Sequence, residues 1–496
     1  MPGGAIFWGV VGCIVVTVAI GLFAARNVKG SSVNYIVAGR GLIFPLVAAT
    51  LMAQSVDSNA TVGNTDLVAS SGFWAGASLP VGLSLCLFLT GLFLAKPMNQ
   101  MNLITLPDFY RQRYNRIVEI IAALLMFLSF CLLLAGNLVA GGYMVETFLG
   151  VSYNWGIVLI TIVVLSYTVS GGMFAAAYTD VIQVSLGLIG SISLFVYVIV
   201  TFGITIPEGQ GPLAFAQLTE PAAGALTNWA TILALGLGDI VAIDFMQRIF
   251  SADSPETAQR ACFTGSFGTL LVGIPFSMVA LSTPSILQQQ GVNANGPILY
   301  ALLQNVAPVA IAILVLAGII GASLSTGDGA IMGTASVLTR NVFGIRVKDK
   351  GKEGEDENDN DGDKLLWTTR AMTVVMALVG VFFALRVPET GILLLLAFDL
   401  LFAGLMIPLV GGLYWAKSTW QGALACILIG STVRIVQFAL VPTTYGIENT
   451  LLYFPNNIFT KGFDGIPTLV SPLIGLVAFV VVSRMTAKSK RSRQRG

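Results

Sequence analysis

Histidine is absent from the 496-residue chain, which removes the commonest metal ligand and the usual neutral-pH proton carrier. Charge is nearly as scarce. Charged residues make up 10% of the sequence, against about 25% in an ordinary soluble domain. A water-facing shell for a soluble core of this size cannot be built from so few. The net charge of +1 provides no bulk field to recruit nucleic acid. The five cysteines, Cys13, Cys86, Cys131, Cys262 and Cys426, stand singly in or beside apolar stretches. No C-x-x-C pair occurs, so neither a thiolate metal site nor a disulfide framework is indicated, and the cysteines read as small packing residues. No nucleophile with a partnered base is evident, and no enzymatic activity is expected.

What is present is hydrophobic length. The composition is 55% hydrophobic and the mean hydropathy is +0.83. A helix needs about 20 apolar residues to cross a bilayer. Thirteen segments qualify, near 6–25, 42–68, 73–95, 117–145, 154–171, 178–203, 228–250, 262–286, 306–341, 367–386, 391–415, 419–440 and 466–485. The first has no basic residues before it and no small-residue cleavage site after it, so it reads as a retained span rather than a signal peptide. Basic residues collect in alternate loops: Arg26, Lys29 and Arg40; Lys96, Arg111, Arg113 and Arg116; Arg248 and Arg260; Arg340 to Lys364; Lys417; and the tail from Arg484. The intervening loops hold only Arg386 and Lys461. This asymmetry predicts an N-terminus outside and a C-terminus in the cytoplasm of a plasma (inner) membrane protein. The acidic stretch Glu353 to Asp363 reads as a solvated linker. A calcium loop beginning at Glu357 would carry Thr368 where a bidentate Glu is needed.

Two spans are interrupted by polar residues. Gln54-Ser55-Val56-Asp57-Ser58-Asn59 breaks 42–68, and Gly236-Leu237-Gly238-Asp239 breaks 228–250. A carboxylate at membrane depth costs at least a few kcal/mol, so it faces a partner, an ion or a cavity. Unwound backbone at that depth is tolerated where it lines a site. Each broken span opens a group of five. An odd number of crossings separates the two openings, so the groups are inverted with respect to one another. That is the pattern of an inverted-repeat transporter. The expected organisation is an extra helix and loop over 1–40, a first repeat over 41–203, a second over 228–415 with the acidic loop at 345–366, and two closing helices with a basic tail over 416–496.

The ninth span reads Ala322-Ser323-Leu324-Ser325-Thr326-Gly327-Asp328-Gly329. The Ala322 carbonyl lies on the same helix face as Ser325. Together with the hydroxyls of Ser325 and Thr326 and the carbonyls of Ala53 and Val56, it makes an oxygen set suited to a hard cation, Na+. Ser and Thr also serve as small interface residues in membrane helices. The broken helix and Asp328 favour the ion site.

From about Gly39 to Trp415 the chain resembles the sodium:solute symporter family, which shares the LeuT-like inverted repeat. The most specific match is Ser166-Tyr167-Thr168-Val169-Ser170-Gly171-Gly172-Met173-Phe174-Ala175-Ala176-Ala177-Tyr178-Thr179-Asp180-Val181-Ile182-Gln183. Phe245-Met246-Gln247-Arg248 and the stretch from Ser325 to Asn341 are also similar. The segments around Gly91-Leu92-Phe93, Tyr178-Thr179-Asp180 and Ala397-Phe398-Asp399 are most similar to the choline-transporter branch. The resemblance implies sodium at Ala53, Val56, Ala322, Ser325 and Thr326. It also implies, from some members, a second sodium at Asp180. The hydroxyl positions of that second site match Asp328 and Gly329, so the chain departs from the pattern there and Asp328 would be the ligand. Asp180 is equally an acid favoured by a helix dipole.

The choline branch encloses its quaternary ammonium in aromatic rings. At matching positions stand Ser55 and Ala242, and the cage is largely absent. Carboxylates take its place: Asp57, Asp239 and Asp244. With Gln54, Ser55 and Asn137 they form the candidate solute site, which suits a cationic or amine-bearing solute. Asp244 also stands four residues before Arg248 and Asp239 at a helix start, so pairing and capping are open to them. Asp399 and Arg434 are placed to pair across helices. The reading is an all-α multi-spanning protein that carries a small organic solute with sodium by alternating access, in a lipid bilayer and without an evident protein partner. The alternatives are proton coupling through Asp57 or Asp328, and a transporter-like sensor, for which a signalling domain would be expected.

Overall fold

A computed structural model of the chain describes residues 2–293, 296–346, 360–388, 392–449 and 452–493. The calcium-loop reading that starts at Glu357 falls outside these residues. Almost everything described is helix. In chain order the main elements are α1 (Pro2–Ala24), α2 (Phe44–Ser55), α3 (Ser58–Ser71), α4 (Phe73–Leu89), α5 (Arg116–Leu149), α6 (Tyr153–Phe202), α7 (Ala225–Leu233), α8 (Ile243–Ser251), α9 (Pro255–Gln289), α10 (Val309–Val337), α11 (Asn360–Arg386), α12 (Ile392–Gly404), α13 (Met406–Tyr414), α14 (Trp420–Leu440) and α15 (Ile466–Arg493).

Among the described residues, nine helices are long and apolar enough to cross a membrane, or up to 11 if each of two bent pairs is one span. The thirteen expected from hydropathy are not reached on that measure, for two physical reasons. First, α6 is taken there as one 50-residue length, although it consists of two helices that meet at Gly172 and correspond to the segments read as two spans. At about 1.5 Å per residue it is far longer than a bilayer is thick. It turns at Gly172, whose φ of 51° and ψ of −138° are not helical. A Cβ there would lie 2.3 Å from the Tyr35 carbonyl oxygen, so glycine is required both by the dihedral and by the contact. Second, α2 and α3 are each short and carry the polar residues of the first break, so neither qualifies alone.

Local chemistry sets the helix ends. Ser254 accepts a hydrogen bond from the Thr257 amide at 3.2 Å, and Pro255 follows in the first turn of α9. Asn115 caps α5 through the Val118 amide at 3.0 Å. Beside it, Asp108 and Glu119 gather Arg340, Arg346, Arg116 and Asn341. Arg340 Nε donates to Asp108 at 2.7 Å, and Asn341 Nδ2 donates to Asp108 at 3.0 Å and Glu119 at 2.7 Å. Burial lowers the Arg346 guanidinium from its ordinary value, opposed by these two carboxylates. Nearby, burial pushes the Tyr114 hydroxyl up to about 12 while it donates to the Pro408 carbonyl at 2.7 Å.

Within an apolar medium the faces of a helix do not segregate by polarity, and helices associate through close packing. The most extensive pairing, α6 against α10, uses small residues. A Cβ on Gly318 would lie 2.6 Å from Gly187 Cα, and one on Gly190 would lie 3.0 Å from the Val315 backbone. This seam holds Asp180 and Gln183 of α6 against the Ser325–Asp328 stretch of α10. Gly318→Leu is expected to force the two backbones apart. Overpacking of this kind costs about 1–3 kcal/mol or more. The measurement is the thermal melt of the purified, detergent-solubilised protein; an unchanged melting temperature would contradict so close a crossing.

Candidate functional site

The first break lies at Val56 and Asp57. Val56 leaves the helix at φ −98° and ψ 55°, and Asp57 is extended at φ −73° and ψ 161°. A helix end leaves its last carbonyls without intrahelical donors, and Ala53 is in that last turn of α2. Asp57 then caps α3, accepting from the Ala60 amide, and its other oxygen accepts from Asn137 Nδ2 at 3.0 Å. Asn137 Oδ1 takes Ser58 Oγ at 2.9 Å, and Ser323 Oγ donates to Ser58 Oγ at 2.6 Å. The restart of the broken helix is thereby fastened to α5 and α10. Both Asp57 oxygens are engaged by the protein itself.

At the second break the helix that begins with α7 continues, as tighter and looser turns, to Val241, and an extended Ala242 then turns the chain by 48° into α8, away from the expected Gly236–Asp239. Asp244 accepts from the Phe245 amide at 2.7 Å in the first turn of α8. Asp239 is 1% exposed, and neither of its oxygens has a hydrogen-bond partner among the described residues. It lies within electrostatic range of Asp244 and Asp57, so the two breaks bring three carboxylates together.

The sodium set is partly assembled in one place. Ala53, Val56 and Ala322 line a single small cavity with Gln183, Val184, Gly187 and Gly318. Ser325 and Thr326 are buried on the same helix as Ala322 but are not among the residues that line this cavity. Gln54 Nε2 donates to both the Ser325 carbonyl and Ser325 Oγ, each at 2.8 Å, and so ties the first break to α10. Thr326 Oγ1, Gln54 Oε1 and both amide atoms of Gln183 are buried without hydrogen-bond partners. Thr326 Oγ1 and Gln54 Oε1 are oxygens of the kind a hard cation takes, whereas the cavity itself is lined mainly by apolar groups. Ser55 faces another way: its hydroxyl meets Thr269 Oγ1 of α9, beside a second small cavity lined by Ser55, Val56, Ala60, Thr61, Asn64, Pro80, Thr269 and Gly273.

Asp180 and Asp328 do come together, but around an arginine. Arg248, expected in a basic loop, is 0% exposed within α8. Its Nη2 lies 3.6 Å from Asp180 Oδ2 and 3.8 Å from Asp328 Oδ1. Its Nε donates to Thr50 Oγ1 at 2.8 Å, Thr50 donates on to Asp180, and Nη1 reaches the Asp244 carbonyl at 3.2 Å. Tyr167 donates to Asp328 Oδ2 at 2.9 Å. Sequence reasoning missed Thr50, Tyr167, Thr269 and this use of Arg248. The available signal was an arginine inside the 228–250 span, read there as the edge of a loop. The Asp399–Arg434 pair forms as anticipated, with Arg434 Nε 2.5 Å from Asp399 Oδ2 and Thr468 donating to the same oxygen at 3.0 Å.

Two unwound helices meeting at a buried, acid-lined centre define an inverted-repeat secondary transporter. Residues 35–430 match the sodium:solute symporter family, and the chain belongs to that family. It is similar to the human high affinity choline transporter 1, 25% identical over 84% of this chain and 74% of that one. It is also similar to the Escherichia coli (strain K12) sodium/proline symporter, 27% identical over 84% of this chain and 85% of that one. Among solved structures, a substrate-bound, outward-open Na+-coupled sialic acid symporter shares the fold at a TM-score of 0.72 and 15% identity, covering 97% of both chains. MhsT in complex with L-phenylalanine does so at 0.53 and 12%, covering 90% of this chain and 98% of that one. The fold is therefore that of the LeuT-like transporters, and the protein is a multi-spanning membrane transporter rather than an enzyme.

Ser325→Ala combined with Thr326→Ala is expected to abolish sodium-dependent thermal stabilisation, because ligand bound to the native state alone raises apparent stability. Melting curves with and without sodium chloride, with choline chloride holding ionic strength, make the comparison. Persistence of the full sodium shift in the double variant would remove these hydroxyls from the site.

Proposed function

We propose that this protein couples sodium entry to the uptake of a small amine-bearing solute whose nitrogen is positively charged and carries N–H donors. Family membership supports sodium-coupled symport, and the solute class rests on Asp239. A carboxylate buried without partners is costly, and it either takes a proton or meets a cation. Around the two breaks stand Asp57, Asp180, Asp239, Asp244 and Asp328. The buried arginines among the described residues are Arg248 and Arg434, and Arg434 is taken by Asp399. The centre is therefore short of positive charge, and cations as cargo supply it. Choline and proline, the solutes in the relatives' names, each carry a positively charged nitrogen. Ser55 and Ala242 offer no aromatic face to a methylated ammonium, whereas both free oxygens of Asp239 accept hydrogen bonds from an ammonium or guanidinium.

In the proposed cycle, sodium bound between Ala53, Val56, Ala322, Ser325 and Thr326 holds α2 to α10. Gln54 and Asn137 keep the unwound segment in register, and Asp57 and Asp244 supply negative potential to the solute beside Asp239. The bundle then rocks against the remaining helices and releases both cargoes inside, with the N-terminus outside and the C-terminus in the cytoplasm of the plasma membrane. One sodium crossing 100 mV supplies about 2.3 kcal/mol, and a tenfold gradient adds about 1.4 kcal/mol. A solute with one net positive charge gains a further 2.3 kcal/mol or so from the same potential. Together these support accumulation on the order of 10⁴-fold.

Proton coupling is the second reading, and Asp239 suits it better than Asp57 or Asp328, whose oxygens already face Ala60, Asn137, Tyr167 and Arg248. A thermal-shift screen of amines, amino acids and guanidinium compounds, with and without sodium, tests the reading. A stabilising solute is expected only in sodium. Stabilisation independent of sodium, with uptake driven by a pH gradient, would favour the proton instead. For the solute so found, Asp239→Asn is expected to weaken binding by about 30-fold or more, since removing one partner of a buried charge pair costs about 2–5 kcal/mol. Isothermal titration in saturating sodium measures it, and an unchanged affinity would take Asp239 out of the solute site.

A further inference from the structure

Arg248 stands where a second cation would otherwise be needed. Asp180 and Asp328 come from α6 and α10, and two buried carboxylates facing one another demand positive charge between them. The guanidinium lies between them, at 3.6 Å from one and 3.8 Å from the other, on the half-helix that follows the second break. The contacts are those of charge rather than of hydrogen bonds, since Arg248 Nη2, Asp180 Oδ1 and Asp328 Oδ1 make none among the described residues. Two further observations show how closely the guanidinium is packed. Residue 329 is a glycine at a position where a side chain would project into this centre. A Cβ there would lie 2.6 Å from Gln54 Oε1 and 3.2 Å from Arg248 Nη1. The guanidinium also cannot withdraw freely, since Nε is held by Thr50 and Nη1 by the Asp244 carbonyl.

We propose that the Arg248 guanidinium is a tethered cation that neutralises Asp180 and Asp328 in place of a second sodium, so that the protein binds one sodium per cycle. This rests on the sodium-symport reading above. An arginine is always charged and cannot dissociate. It therefore supplies the charge of a bound ion without drawing on the sodium gradient. A bare sodium placed between the same carboxylates would sit within a few ångströms of the guanidinium and be repelled by it. Asp328 fits this arrangement. A second carboxylate in place of a neutral hydroxyl adds the negative charge that a permanent cation on the other side calls for. The arginine also moves with α8, so the charge that closes this centre belongs to one of the two unwound helices rather than to solution.

The test counts ions on the full-length protein with radioactive sodium (²²Na⁺) as the probe, by equilibrium binding in detergent. Wild type is expected to bind one ion per chain with a non-cooperative isotherm. Arg248→Gln, which keeps hydrogen-bonding capacity and removes the charge, is expected to bind two. In that background Ser325→Ala with Thr326→Ala is expected to leave one, held by Asp180 and Asp328. Two ions on wild type would overturn the proposal, and that count stands even if Arg248→Gln fails to fold. A folded Arg248→Gln that still binds one ion would overturn it as well. Absence of any sodium binding to wild type is a different failure: it removes the sodium-symport reading and this proposal with it.

Discussion

A charge buried in this protein has no water to turn to, and that constraint organises the whole interior. Asp399 answers it by pairing with Arg434. Asp57 answers it with the Ala60 amide and Asn137. Asp180 and Asp328 answer it with Arg248. Asp239 has no such answer among the described residues. The polar centre is therefore a graded set, running from Asp57, with both oxygens engaged, through Asp180, Asp328 and Asp399, each with one oxygen unbonded, to Asp239, with neither bonded among the described residues. A transporter needs both kinds. The satisfied acids hold the unwound segments in one geometry, and the unsatisfied one gives the empty site a reason to bind.

The breaks are inexpensive because their loose ends are used. Unwinding a helix at membrane depth frees backbone groups that lipid cannot satisfy. At the first break Asp57 caps the resumed helix, while Ala53 and Val56 line a small cavity together with Ala322. Around this centre the helices are held by glycine-lined seams. The α6–α10 crossing brings Gln183 and Asp180 within reach of the hydroxyl pair on α10 because Gly187, Gly190, Gly318 and Gly321 leave room for it. Gln54 then joins the first break to Ser325. A cation bound there would strengthen a contact the protein already makes, which is how an ion can set the position of one helix relative to another.

Much of this was legible in the amino-acid order. The interruption at Gln54–Asn59 marked the first break, while Gly236–Asp239 stands a few residues before the second, which falls at the extended Ala242. The Ser325–Thr326 pair followed from helical spacing, and the stretch from Ser166 to Gln183 carried the family. Hydropathy separated 154–171 from 178–203, and the chain does leave the helix between them, at Gly172. It was less reliable about single charged residues. It assigned Arg248 to a basic loop, because an arginine near the end of a span resembles a flanking residue. Window averages register how apolar a stretch is and carry no information on what lies opposite.

Composition and local order by themselves determined that the chain lives in lipid, where its helices lie, and near which residues two of them unwind. These depend on the residues within a few turns of one another. Only the tertiary structure decided which partner each buried polar group meets. Asp180, Arg248 and Asp328 are far apart along the chain, on α6, α8 and α10, and electrostatic compensation in a medium of low dielectric depends on distances in space. The same holds for Gln54, which turned to Ser325, for Ser55, which turned to Thr269, and for Asp239, which turned to no side chain or backbone group among the described residues.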